Sequence, residues 1–223
     1  MLLPLKFEFL NQTLWLSPER CIFWQEEELL MVADIHFGKS GHFRKEGIGI
    51  PQTVFKEDLQ RLFALIQQFK PKQLLVVGDF FHSRLNNELL LFEKWRKDIP
   101  HVAVQLVQGN HDLLPAAWYE SNGIELHEPV LQKGPFLFVH DVSEIASAGE
   151  SETDSYFISG HLHPGIRIEG TAKQSLRFPC FYFGRNYAVL PAFSRFTGLH
   201  TIQPKEKETV FAIVNQSIIE IKH

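Results

Sequence analysis

Cysteine is nearly absent: Cys21 and Cys180 are the two in 223 residues. They stand far apart with no CxxC spacing, so neither a disulfide framework nor a thiolate zinc site is indicated, and a reducing cytoplasm is the expected compartment. Positive charge is not in excess either, with 22 Lys and Arg against 26 Asp and Glu and a net charge of -4. The chain therefore has no global basic footprint, and contact with nucleic acid would need a local patch. No stretch approaches the roughly 18 apolar residues of a membrane span. In MLLPLKFEFLNQTLWL, Pro4, Lys6 and Glu8 interrupt the apolar run that a signal peptide requires, so a protein that is neither exported nor membrane-bound is expected. Internal repeats, low-complexity tracts and linkers are also missing, and residues 1–223 are expected to form a single α/β domain.

What is present is apolar bulk and histidine. Hydrophobic residues make up 44% of the chain, 20 of them Phe, enough for a large core, and 11 His leave an unusual supply of imidazole. Short strands are expected in 5–33, the last of them, 29–33, a continuous apolar run of the kind a buried sheet strand shows. After a glycine-rich loop, FGKSGHFRKEGIGIP, Pro51 opens a helix whose apolar face is Phe55, Leu59, Leu62, Phe63, Ile66 and Phe69, ended by Pro71. A second buried strand at 74–77 follows, then a helix over 87–97 with Leu89, Phe92 and Trp95 inward, then a strand over 102–107. Alternation of strand and helix argues a parallel sheet, with the strand tips along one edge. A short helix over 115–121 leads into a β-rich half: GIELHE, PVLQKG, PFLFVHD, YFISGHLHPG, IRIEG, SLRFP, CFYFG, NYAVLPAF, TVFAIV and SIIEIK. These segments suggest a second, mainly antiparallel sheet packed on the first, with 143–155 as an exposed loop.

Chemistry gathers where the strands stop. Five strand ends carry Asp34 and His36, Gly78-Asp79, Gly109-Asn110-His111-Asp112, His140, and Gly160-His161 with His163. Taken alone, Asn110 or Asp112 could simply cap the helix that begins near Leu113. Five buried strands that each end in a metal-ligand residue type argue for a site instead. Asp34, His36, Asp79, Asn110, His140, His161 and His163 make a mixed nitrogen and oxygen shell without thiolate, suited to Mn, Fe or Zn. Seven ligands exceed one tetrahedral site but fill two if a carboxylate bridges, so two divalent metal ions are implied. A pair about 3.5 to 4 Å apart activates water at neutral pH and stabilises the attacking and leaving oxygens of a phosphoryl displacement.

The same residues resemble the five-motif pattern of the calcineurin-like metallophosphoesterases. The ligase-associated DNA-damage-response phosphoesterases, the bacterial PdeM family, are the more similar subgroup. The shared stretches are ADIHFGKSGHFRKEGIGIP, GDFFH, GNHD, GHLHP and LPAFSRFTG, spread over residues 14 to 200 or so. GDFFH and GNHD are also similar to the Mre-type repair exonucleases. The resemblance implies a four-layer α/β/β/α sandwich, a dinuclear site often assayed with Mn, and phosphodiester hydrolysis. Carried over, Asp34, His36 and His163 hold the first metal, Asn110, His140 and His161 the second, and Asp79 bridges them. It further implies that His111 protonates the leaving oxygen, that Asp112 orients the other nitrogen of His111, and that His82 lies near the substrate phosphate. Arg44 and Lys39, one loop beyond the first ligands, are candidates for phosphate contact. Many relatives have Gly after the fourth-motif His, whereas Asp141 stands here, either behind the ligands or facing solvent.

The leading functional expectation is a phosphodiesterase or endonuclease of DNA repair, acting with a DNA ligase and a helicase; that role rests on the resemblance. A phosphohydrolase of small or cyclic nucleotides is the competing enzyme, favoured by the acidic net charge because DNA affinity relies on neutralising phosphates. A non-catalytic scaffold of a repair complex is the third reading.

Overall fold

The computed structural model describes residues 2–39, 53–82, 87–143, 155–169 and 175–222. Strands β1 (Leu5–Phe9), β2 (Gln12–Ser17) and β3 (Cys21–Trp24) form an antiparallel meander that runs into β4 (Leu29–Ala33). From β4 the chain alternates: helix α1 (Thr53–Phe69), β5 (Gln73–Val77), α2 (Asn87–Lys97), β6 (Ala103–Val107), α3 (Ala116–Ser121) and β7 (Ile124–His127). The first sheet has seven strands in simple order β1 to β7, and β4 to β7 are parallel, as alternating strands and helices require. The GIELHE segment thus closes the first sheet as β7 rather than opening the second.

The second sheet contains β8 (Leu131–Lys133), β9 (Phe136–Phe138), β10 (Tyr156–Ser159), β11 (Pro164–Glu169), β12 (Ser175–Phe183), β13 (Tyr187–Val189) and β14 (His200–Thr201), with β15 (Thr209–Val214) and β16 (Ser217–Ile221) attached through β12. Most of its pairs are antiparallel, but β10 runs parallel to β9 and β13, and β14 parallel to β11. SLRFP and CFYFG are one strand, β12. Pro179 does not break it because it falls where β12 leaves β11 and takes β13 and β15 as partners.

Every described helix packs on the first sheet. Phe55, Leu59, Leu62, Leu65 and Ile66 of α1 join Leu89, Phe92 and Trp95 of α2 and Tyr119 of α3 over the sheet face that carries Leu30, Val32, Leu74, Val76, Val104 and Leu106. In α1, Phe63 is 36% exposed and Leu65 is buried in its place. At 100° per residue the two flank the stripe through Phe55, Leu59, Leu62 and Ile66 on opposite sides, and the side that also carries Asp58 is the covered one. Between the sheets, Leu29, Met31, Leu75, Val77 and Val107 meet Phe136, Phe138, Phe181, Phe183 and Phe211. Each fully buried Phe or Leu contributes roughly 1.5–3 kcal/mol, so this inter-sheet layer fixes the two rows of strand ends against each other. The two sheets and the helix layer over the first are those of the expected four-layer α/β/β/α sandwich, and the described helices all lie on the first sheet.

Candidate metal centre

The parallel ladder of the first sheet continues past its strands. Asp34 N–H donates to Gly78 O at 3.1 Å, Gly78 N–H to Val107 O at 2.9 Å, and His36 N–H to Asp79 O at 2.9 Å. In the second sheet Gly160 N–H donates to His140 O at 3.1 Å, so the ends of β9 and β10 are locked in the same way. The backbone then turns sharply: Asp34, His36, Asp79, His161 and His163 all have positive φ, from 50° to 64°. Each such non-glycine residue costs of order 1–3 kcal/mol, and such strain is typical where side chains are aimed for function. Two glycines clear the space. A Cβ on Gly78, itself at φ 78°, would collide with the His140 ring, and one on Gly109 would collide with the Asp79 carboxylate.

Two groups of donors result. Asp34, His36 and His163 lie together, as do Asp79, His140 and His161. His36 Nε2 and His163 Nε2 are 3.4 Å apart, His161 Nδ1 and His140 Nε2 3.0 Å, and His140 Nε2 and Asn110 Oδ1 2.9 Å. Two donors on one ion at bonds of about 2.0–2.1 Å, 90–110° apart, are separated by roughly 2.9–3.4 Å. The donor set therefore fits divalent ions, and Asn110 joins the second group. Asp79, a member of the second group with Oδ1 3.6 Å from His140 Nε2, also has Oδ2 3.9 Å from His36 Nδ1. Burial pushes the His36 ring below the usual histidine range, with Lys39 and His163 adding to the effect, so it stays neutral and free to ligate. Burial likewise raises the Asp34 carboxyl, against the pull of His163. The inner wall is dry, with Asp34, His36, Asp79 and His140 all buried, whereas Asn110 and His161 are exposed. The centre opens to solvent on that side.

The remaining site candidates divide. The His111 ring is half-buried and lies 4.2 Å from the His82 ring, centroid to centroid, and 5.7 Å from the His36 ring. His111 N–H donates to Asp79 Oδ1 at 3.0 Å, which ties its backbone to that carboxylate. Lys39 sits near enough to Asp79 and Asp34 for their charge to oppose the lowering that burial imposes on its ammonium. Arg44 lies outside the described residues. Asp112 departs from expectation. Its carboxylate does not orient His111 but accepts from Phe81 N at 2.8 Å, Gly109 N at 3.0 Å and Phe80 N at 3.2 Å. Burial raises it to about 7 in spite of these bonds. It is a strut tying the loops after β5 and β6 together. Neither Asn110 nor Asp112 caps a helix, since α3 begins at Ala116 with Pro115 before it. Asp141 Oδ2 lies 3.7 Å from His161 Nε2 while accepting from Ser143 N and Oγ at 2.9 and 2.7 Å. It therefore stands behind the ligand face of His161, which presents Nδ1 to the second group.

Sequence reasoning missed Arg20 and Arg61. Arg20 donates to the carbonyls of Ala192 and Ser194 at 3.1 and 2.7 Å, and Arg61 donates to that of Phe193. The same segment is bonded to the strand end: Phe193 N–H donates to Ala33 O at 2.7 Å and Ser194 N–H to Asp34 O at 3.3 Å. The one available signal was the LPAFSRFTG stretch, whose polar backbone needs partners once buried.

A family model described as calcineurin-like phosphoesterase matches residues 28–194. Among solved structures, the nuclease MPE of Pseudomonas putida is similar at 27% identity and a TM-score of 0.80, over 98% of this chain and 100% of that one. The phosphoesterase Yfce of E. coli is similar at 14% identity and a TM-score of 0.47, over 86% of this chain and 97% of that one. No protein of curated function matches the chain by sequence.

Proposed function

The chain belongs to the calcineurin-like phosphoesterase family, and from that premise we propose that it is a two-metal nuclease that hydrolyses phosphodiester bonds of polynucleotides in DNA repair. Its reaction class is metal-dependent phosphoester hydrolysis. The observation that carries the finer reading is the convergence of seven donors on two points, with Asp79 in the second group and 3.9 Å from His36 of the first, in a chain similar along its length to a nuclease. In this reading Asp34, His36 and His163 hold one ion, Asn110, His140 and His161 the other, and Asp79 both. Divalent ions bound there supply Lewis acidity to the phosphoryl oxygens and lower the pKa of the attacking water. The chain's own groups do the rest. His111 gives its proton to the leaving oxygen, with the His82 ring packed beside it, and Lys39, with Arg44, meets phosphate oxygens. Asp112 holds the loop that carries His111. Manganese as the resident ion, and a DNA ligase and a helicase as partners, enter from the motif resemblance. A cytoplasmic site of action is supported by two cysteines that are buried and unpaired. No described helix is long and apolar enough to cross a membrane.

The net charge of -4 favours the competing reading, a hydrolase of small nucleotides. A panel on metal-stripped and Mn-restored protein separates the two: single- and double-stranded DNA, RNA, cyclic nucleotides, an aryl diester and a monoester. Mn-dependent cleavage of DNA that weakens steeply with salt is the expected result. Turnover of cyclic or mononucleotides alone, insensitive to salt, overturns it.

A further inference from the structure

Beyond the metal centre, the molecule holds a cleft of about 850 Å³ lined by Arg167, Ser175, Leu176, Arg177, Thr197 and Thr201 together with Gly198 and Leu199. Its floor is the β11–β12 ladder, and the register places Arg167 directly opposite Arg177. Like charges directly opposite in an antiparallel pair are destabilising. Among the described residues no carboxylate pairs with either guanidinium. Glu169 shares the face, opposite Ser175, without reaching them. Arg167 is held in place by a 2.7 Å bond to Ser175 Oγ. Two opposed guanidinium groups with no carboxylate partner among the described residues, one of them held by a serine hydroxyl, beside further hydroxyls and a glycine backbone are the chemistry of a phosphate contact.

The position of the cleft says which phosphate. β11 begins at the residue after His163, and the opposite wall is bonded to the same ligand, His200 N–H donating to His163 O at 3.0 Å. That wall is packed hard on the floor: a Cβ on Gly165 would come within 2.9 Å of Leu199. Arg167 is four residues along an extended strand from His163, about 13 Å at 3.3 Å per residue. Phosphates of one strand wind around the helix axis as well as rising about 3.4 Å per nucleotide along it, so this distance is the span of about two nucleotides, farther than the single phosphate of a mononucleotide held at the metals. We propose that this cleft binds the phosphodiester backbone of a polynucleotide a few nucleotides from the scissile bond, with Arg167 and Arg177 as its phosphate contacts. The assignment rests on the polynucleotide reading of the metal centre.

Both arginines are exposed, so R167Q/R177Q removes charge without opening the core. Binding of fluorescent single-stranded and duplex oligonucleotides to the metal-loaded double variant, followed by anisotropy over a salt series, reads the cleft without turnover. Affinity for the single strand is expected to fall about tenfold at low salt, and the slope of log affinity against log salt by about 1.4, for two phosphate contacts at 0.7 each. The KM for oligonucleotide cleavage rises in step, hydrolysis of an aryl diester stays unchanged, and R167K/R177K retains the salt slope. Unchanged affinity and slope in R167Q/R177Q overturn the proposal. Wild-type protein that hydrolyses the aryl diester but cleaves no oligonucleotide overturns the nuclease reading instead, and the anisotropy still decides the cleft.

Discussion

Asp34 and Arg61 lie on either side of the segment that contains Ala192, Phe193 and Ser194, yet the two polar clusters around them treat charge in opposite ways. On the arginine side each carboxylate has a guanidinium partner inside the chain. Arg61 pairs with Asp58 at 2.8 Å and Glu19 at 3.0 Å and lies 3.9 Å over the Phe193 ring, while Arg195 pairs with Glu19 at 3.0 Å. Burial raises Asp58 to about 6 against the pull of Arg61. On the other side, Asp34 and Asp79 face imidazole nitrogens that converge on common points. A cluster whose carboxylates already have guanidinium partners holds structure together; one whose lone pairs converge receives its positive charge from outside.

The contrast is broken most severely by Asp79→Asn. Because Asp79 faces both groups, the variant is expected to lose both ions and all measurable diester hydrolysis. Elemental analysis showing full metal content alongside near-normal turnover would contradict a shared ligand. Next in size is Arg61→Leu, which leaves the buried Asp58 without its guanidinium and Glu19 with Arg195 alone. A loss of about 3–5 kcal/mol in denaturant unfolding is expected, with the folded fraction still binding two ions. A loss under about 1 kcal/mol would show that the pairing is idle. His111→Ala comes third: both ions retained, turnover down by about 100-fold. Missing metal in that variant would make His111 a ligand. The smallest effect belongs to Asp141→Asn, which frees the rear of the His161 ring. Titration should show the second ion held about tenfold more weakly and the first unaffected; equal loss at both positions would detach Asp141 from His161.

Much of the metal centre was legible in the sequence because its chemistry is local to strand ends. An apolar run followed by Asp, His or Gly-Asn-His-Asp announces both the strand and its cargo, and parallel pairing puts the tips of β4, β5 and β6 on one edge. The inward residues of α2 followed from periodicity for the same reason. Features that depend on partners distant in sequence were not legible. Asp112 sits beside His111 in the chain, but its carboxylate serves the amides of Phe80 and Phe81, about thirty residues away. Which flank of the α1 stripe is covered, that of Phe63 or that of Leu65, depends on how the helix is set on the sheet. Arg20 and Arg61 look like ordinary surface arginines until the segment around Phe193 crosses to β4. The opposition of Arg167 and Arg177 exists only once the β11–β12 register is known. Left-handed backbone at five of the converging donor positions had no compositional sign, since none of the five is glycine.

The central claim is that the strand ends of two sheets build one site for two ions. Metal-stripped protein reconstituted with Mn, freed of unbound ion by gel filtration and analysed for metal against protein, tests it directly. Two ions per chain, falling to one when His163 is replaced and Asp79 is left intact, is the predicted result. A wild-type content of one ion or none would contradict it.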